Sequence, residues 1–160
     1  MSRHAPRFLP HEQWLAVVSH APLVSMDLIV RDAGGRTLLG LRNNEPARGF
    51  WFTPGGAIRK NERLDAAYAR IAEAELGLPL RRADARLLGV YEHLYDSNFA
   101  GAPGIGTHYV VLAYELAAPP TVAELPADQH REWRWLDLPT LLAAADVHDN
   151  VKAYFATKDS

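Results

Sequence analysis

The feature that most constrains this chain is a carboxylate in the wrong place. The segment after Thr53-Pro54-Gly55-Gly56 reads as a helix, and at about 100° per residue its Leu64, Ala67, Tyr68, Ile71, Ala74 and Leu78 fall within a band of roughly 120°. Glu75 lies near the middle of that band, whereas Glu62, Asp65 and Glu73 lie off it and read as solvated. An ionised carboxylate in a core stripe is costly unless something compensates it. Glu75 must therefore be neutralised, paired with a cation such as Arg70 or Arg42, or open onto a cleft.

The remaining composition narrows the setting. With 160 residues and 48% hydrophobic content, the chain suits one domain over residues 1–160 with a sizeable core, and it shows no internal repeat. Its 17 basic and 19 acidic residues are interspersed and leave a net charge of -2, which provides no electrostatic footprint for nucleic acid or an anionic membrane. A small-molecule partner is expected instead. The absence of cysteine excludes disulfides, thiolate metal sites and thiol catalysis. No stretch approaches the roughly 20 apolar residues that span a bilayer, so a soluble cytoplasmic protein is expected.

Along the chain, Pro10 to Ser19 reads as a short amphipathic helix carrying Trp14, Val17 and Val18, broken by Ala21-Pro22. An apolar strand from Leu23 to Val30 turns through Asp32-Ala33-Gly34-Gly35-Arg36 into a second strand, Thr37 to Leu41. A polar loop from Arg42 to Gly49 leads to Trp51-Phe52 and the glycine pair, and Asn61 is placed to cap the helix that ends near Gly77. Strands are expected at Leu87 to His93, His108 to Leu116 and Trp133 to Leu136. The first two are joined by a glycine-rich loop, Asp96 to Thr107, long enough to be functional. Pro119 to His130 reads as a further loop. Helices are expected from Leu138 to Ala145 and from about Asn150 to Ala156, which makes the whole an α/β sandwich with a mixed sheet.

The segment Gly55 to Leu78 resembles the Nudix box: a glycine, a glutamate six residues on, an arginine eight further, then a glutamate-rich helix end closed by glycine and an apolar residue. Gly56, Glu62, Arg70, Glu75, Gly77 and Leu78 match. Two metal-binding glutamates usual in the box are replaced by Ile71 and Ala74. Other segments resemble GDP-mannose mannosyl hydrolases, a branch of the Nudix superfamily that shares the loss of those glutamates. Its markers here are Pro22-Leu23-Val24-Ser25-Met26-Asp27, Gly49-Phe50-Trp51-Phe52, Ala74-Glu75-Leu76-Gly77-Leu78, Tyr95-Asp96-Ser97-Asn98-Phe99, Thr107-His108-Tyr109-Val110-Val111 and Asp128-Gln129-His130. Together they cover nearly the whole chain.

The resemblance implies a Nudix-type α/β/α sandwich and a Mg²⁺-dependent hydrolase, with Mn²⁺ able to substitute. It would act on GDP-mannose, or GDP-glucose, by directing water at the anomeric carbon and releasing GDP and the inverted sugar. The metal ligands would be the Gly55 carbonyl, the Glu75 carboxylate and the Gln129 side chain, and His130 would be the general base. An ordinary imidazole pKa of about 6.5 leaves such a base mostly neutral at physiological pH. Arg42 would contact the diphosphate, Asp27 would bind the sugar, and His93 and Tyr109 would face the leaving group or sugar. Arg70 is expected to brace the loop against the helix through Glu62. Where the family usually has an arginine after the glycine pair, this chain has Ala57, and Arg59, two residues on, is the candidate to replace it. Members of the branch pair as homodimers, and the Trp14 helix in the 1–20 extension would help form that contact. The alternative reading keeps the fold but cleaves a nucleotide sugar at phosphorus, giving a nucleoside monophosphate and a sugar phosphate. A third is a catalytically weak nucleotide-sugar sensor.

Overall fold

The structure, a computed structural model, describes residues 9–119 and 130–156, and only the backbone of residues 130 and 131. Its centre is strand β1 (Leu23–Arg31), buried along nearly its whole length. Beside it run β2 (Thr37–Arg42), β3 (Trp51–Phe52), β4 (Gly55–Ala57), β5 (Arg86–Tyr95), β6 (Thr107–Ala117) and β7 (His130–Leu136). The order is β3-β2-β1-β6-β5, with β4 added on β1 and β7 on β2. Among these strands the β1–β6 pair alone is parallel, from Leu23 opposite Tyr109 to Arg31 opposite Ala117.

Alternation along β1 decides what each face sees. Met26, Leu28 and Val30 pack against Ala67, Tyr68, Ile71, Ala72 and Leu76 of helix α2 (Leu64–Leu76). Ile29 turns the other way, against Ala113 and Tyr154. That second face is closed by helices α3 (Leu138–Ala143) and α4 (Asp149–Lys152), whose Leu141 and Val151 meet Leu39, Trp51 and Phe52. Helices on both faces of a mixed sheet give the expected α/β/α sandwich.

Several elements differ from the sequence reading. The N-cap of α2 is Arg63, without a side-chain cap hydrogen bond, while Asn61 sits two residues earlier at φ 65°. There it serves a turn in which the Glu62 amide donates to the Arg59 carbonyl, a left-handed position that asparagine tolerates. The buried band of α2 is also rotated: Leu64 is 39% exposed and Ala74 is exposed, while Ala72 and Leu76 are buried. Glu75 stays inside the band at 3% exposure. At the far end Gly77 adopts the expected left-handed cap, its amide donating to the Glu73 carbonyl.

Strand β7 starts at His130 rather than Trp133, because it pairs with β2 from Thr37 opposite Leu136 to Arg42 opposite His130. His130 is thereby a strand residue and not a loop residue, and Arg42 ends β2 instead of opening the loop. Helix α1 (His11–His20) lies on its own domain, with Trp14 and His11 packed against Phe99 at ring separations of 6.2 Å and 5.3 Å. Among the described residues no helix is long and apolar enough to cross a membrane.

Candidate active site

The site forms where the Gly55-Gly56 strand lies on β1. In register, Asp27 faces Gly55 and Met26 faces Gly56. The approach is close enough that a Cβ on Gly55 would overlap Asp27 Oδ1 and stand 2.6 Å from the Met26 carbonyl oxygen. A Cβ on Gly56 would press on Ile71 at 3.2 Å. Beyond Ala57 the chain is held by Arg70. Its Nε and Nη2 donate to the two oxygens of Glu62 at 2.7 and 2.8 Å, and Nη2 also donates to the Ala57 carbonyl at 2.8 Å. Glu62 Oε1 in turn accepts the Arg59 amide at 3.0 Å. This bidentate pair is the bracing contact expected of Arg70, and it holds the Glu62 carboxyl below its ordinary pKa. Glu62 is thus half-buried and paired rather than merely solvated.

Asp27 is 6% exposed, and burial lifts its pKa from 3.8 to about 6 despite hydrogen bonds from Tyr154 and Thr53 and the nearby charge of Arg42. The negative charge of Glu75 adds to the rise, which places the two carboxylates within electrostatic reach of each other. Thr53 Oγ1 donates to Asp27 Oδ2 at 3.1 Å, and the Tyr154 hydroxyl donates to the same oxygen. Tyr154 also stands 3.2 Å from His93 Nε2. Burial, with a smaller contribution from the charge of His148, lowers the His93 pKa to about 4, so His93 is neutral at physiological pH.

Arg42 influences Asp27, Tyr95 and Tyr109 together and so faces the same space. An aromatic wall surrounds it. Tyr95 lies 6.3 Å from Tyr109 and 5.4 Å from His148 between ring centres, and His148 also meets Phe50 and Phe52 at 5.1 and 5.5 Å. His148 Nδ1 accepts the Asn150 amide at 3.1 Å, and burial lowers its pKa. A neutral His148 therefore presents Nε2–H as a donor.

The loop between β5 and β6 is wound around a fully buried Asn98. Asn98 Nδ2 donates to the Ala102 and Ile105 carbonyls at 2.8 Å each, and Oδ1 accepts the amides of Ala100 and Ala102. Ser97 Oγ reaches Glu45 Oε2 at 3.0 Å and ties this loop to the one after Arg42.

Of the expected residues, the fold thus brings Asp27, Arg42, His93, Tyr109, Gly55 and Glu75 to one region. Arg59 is half-buried, and its charge acts on Glu62. Gln129 lies outside the described residues, and of His130 only the backbone position opposite Arg42 is described. Among the described residues no cluster of three or more histidine or acidic side chains could hold a metal ion. A hard cation here would draw on the buried Glu75 carboxylate, backbone oxygen and the ligand's own oxygens, a donor set that suits Mg²⁺. Sequence reasoning missed Thr53, Tyr95, His148 and Tyr154. Nothing local marks Tyr154, whose spacing with Val151 reads as ordinary core.

Comparison with known proteins agrees with this architecture. Low-salt glycan biosynthesis protein Agl8 from Haloferax volcanii is 42% identical over 152 residues, covering 94% of this chain and 91% of that one. The crystal structure of a MutT NUDIX hydrolase from Burkholderia pseudomallei superposes with a TM-score of 0.65 at 28% identity, over 87% of this chain and all of that one. A MutT protein from Methanosarcina mazei Go1 shares the fold at a TM-score of 0.66 and 19% identity, over 85% of this chain and 92% of that one. Residues 21–156 match the NUDIX domain, and the chain belongs to that family of hydrolases.

Proposed function

We propose that this chain hydrolyses GDP-mannose, or GDP-glucose, to GDP and the free sugar, with water attacking the anomeric carbon and inverting it. The observation that carries the reading is the fate of the two helix positions that would hold metal-binding acids in an ordinary Nudix box. Ile71 is 1% exposed and packed over Gly56, and Ala74 bears no ligand, which leaves Glu75 as the box carboxylate in the buried band. One carboxylate suits a metal that stabilises a departing diphosphate better than a site built to generate hydroxide at phosphorus. The name of the Haloferax volcanii relative, a glycan biosynthesis protein, fits nucleotide-sugar chemistry.

In this reading Gly55, Glu75 and Gln129 hold Mg²⁺, or Mn²⁺ in its place, which supplies Lewis acidity toward the diphosphate. His130 accepts the proton of the attacking water. The new bond joins water oxygen to the anomeric carbon, and the bond from that carbon to the phosphate oxygen breaks with its electrons on GDP. Arg42 lies against the charge that builds on the leaving group. Asp27 and Tyr109 hold the sugar, and neutral His93 faces it without adding charge. Arg70 keeps the loop in place through Glu62. The protein acts as a homodimer, with surfaces of α1 beyond the Trp14–Phe99 contact available for pairing.

Proton NMR of the purified protein with GDP-mannose and Mg²⁺ tests the reading, because it identifies both the bond broken and the configuration of the product. β-Mannose with GDP is the expected result. GMP with mannose-1-phosphate would place the attack at phosphorus and overturn it.

A further inference from the structure

We propose that Tyr154, in the turn after α4, is a positioning residue that fixes the carboxyl plane of Asp27 and thereby the enzyme's grip on the sugar half of its substrate. The inference rests on the reading above that a sugar hydroxyl meets Asp27.

A carboxyl group turns easily about its last bond, and either oxygen can face a ligand. Here both hydrogen bonds described for Asp27 fall on Oδ2, from Thr53 and Tyr154. They come from segments far apart in sequence, and two donors held on one oxygen restrict the rotation of the carboxyl group. Oδ1, which borders the Gly55 backbone, takes neither of these bonds and is the oxygen left for a substrate hydroxyl. Tyr154 is itself immobilised. It is 4% exposed, its ring meets Tyr91 edge-on at 4.7 Å, and it packs with Ile29 and Ala113. Its segment is stapled to β3, where the Trp51 amide donates to the Asp146 carbonyl at 2.8 Å and the His148 amide to the Trp51 carbonyl at 3.2 Å. His93 Nε2, 3.2 Å away, completes the surroundings of the hydroxyl as a donor to its oxygen. A residue far from the glycine-rich loop thus preorganises an acceptor beside it.

Tyr154→Phe keeps the ring and removes the hydroxyl. The test compares kcat/KM for GDP-mannose with the inhibition constant of GDP, both with Mg²⁺, in wild type and variant. Loss of a hydrogen bond to a charged group predicts a fall in kcat/KM of about tenfold to a hundredfold. The inhibition constant of GDP, which lacks the sugar, should stay within about twofold. In an Asp27→Ala background, Tyr154→Phe should cause no further loss. Equal weakening toward both ligands would make Tyr154 merely structural and overturn the proposal, as would an unchanged kcat/KM. If Tyr154→Phe fails to fold, Thr53→Val removes the other bond to Oδ2 and must show the same selective loss. The NMR product test stands apart: whichever bond breaks, the ratio of sugar-nucleotide to GDP effects decides the role of Tyr154.

Discussion

Asp27 and Gly55 stand opposite each other in antiparallel register, with no room between them for even a methyl group. Gly55→Ala would drive its Cβ into Asp27 Oδ1 and the Met26 backbone, neither of which is a flexible tip. The expected cost is about 1–3 kcal/mol of stability. Activity should fall further than stability, because the displaced carboxylate is the one proposed to hold the sugar. Thermal melts alongside turnover check this, and an alanine variant with wild-type activity would contradict the geometry.

The Ile71 and Ala74 positions respond differently to restored acids. Ile71→Glu would place a carboxylate among Met26, Leu28, Ala67 and Tyr68, and should cost more than about 3 kcal/mol. Ala74 is exposed, so Ala74→Glu should change stability by no more than about 0.5 kcal/mol. Denaturant titrations of both variants measure the contrast.

Arg70→Lys retains a charge but cannot reproduce the fork that engages both Glu62 oxygens and the Ala57 carbonyl. Turnover is expected to drop at least about tenfold while the melting temperature shifts only a few degrees, since the pair is half-exposed and its stability contribution is modest. Amide exchange of residues 57–62 should rise in the variant.

His93 and Asp27 oppose each other in acid. The folded state resists the proton that unfolded His93 takes up as pH falls from 6.5 toward 4, so this contribution to stability is lost on acidification. Asp27 has the opposite sign: folded, it keeps its proton up to about pH 6, while the unfolded chain releases it above 3.8. His93→Gln removes only the first effect. Relative to wild type, the variant should gain stability as pH falls from 7 to 4, by up to about 3 kcal/mol. Melting temperatures across that range read it directly, and a constant offset would mean that His93 titrates normally.

His130→Gln, if the imidazole accepts the proton from water, should lower turnover by about 10²-fold or more. GDP binding in the presence of Mg²⁺ should be nearly unchanged. Unaltered turnover would remove His130 from the chemistry.

By itself the sequence determined the helix with its buried carboxylate, its Gly77 cap, most of the longer strands and the glycine pair, because periodicity, left-handed glycines and apolar runs are local properties. The matching of Glu62 with Arg70 is implied by the resemblance to the Nudix box, whereas periodicity alone reads Glu62 as solvated. Only the tertiary structure decided that Ala74 is exposed, that His130 enters a strand opposite Arg42, and that Tyr154 reaches Asp27 from 127 residues away. Those relationships depend on which strands pair and in what register, and on a C-terminal segment held against β3. Pairing of distant segments is set by the packing of the whole core, which no local window of residues contains.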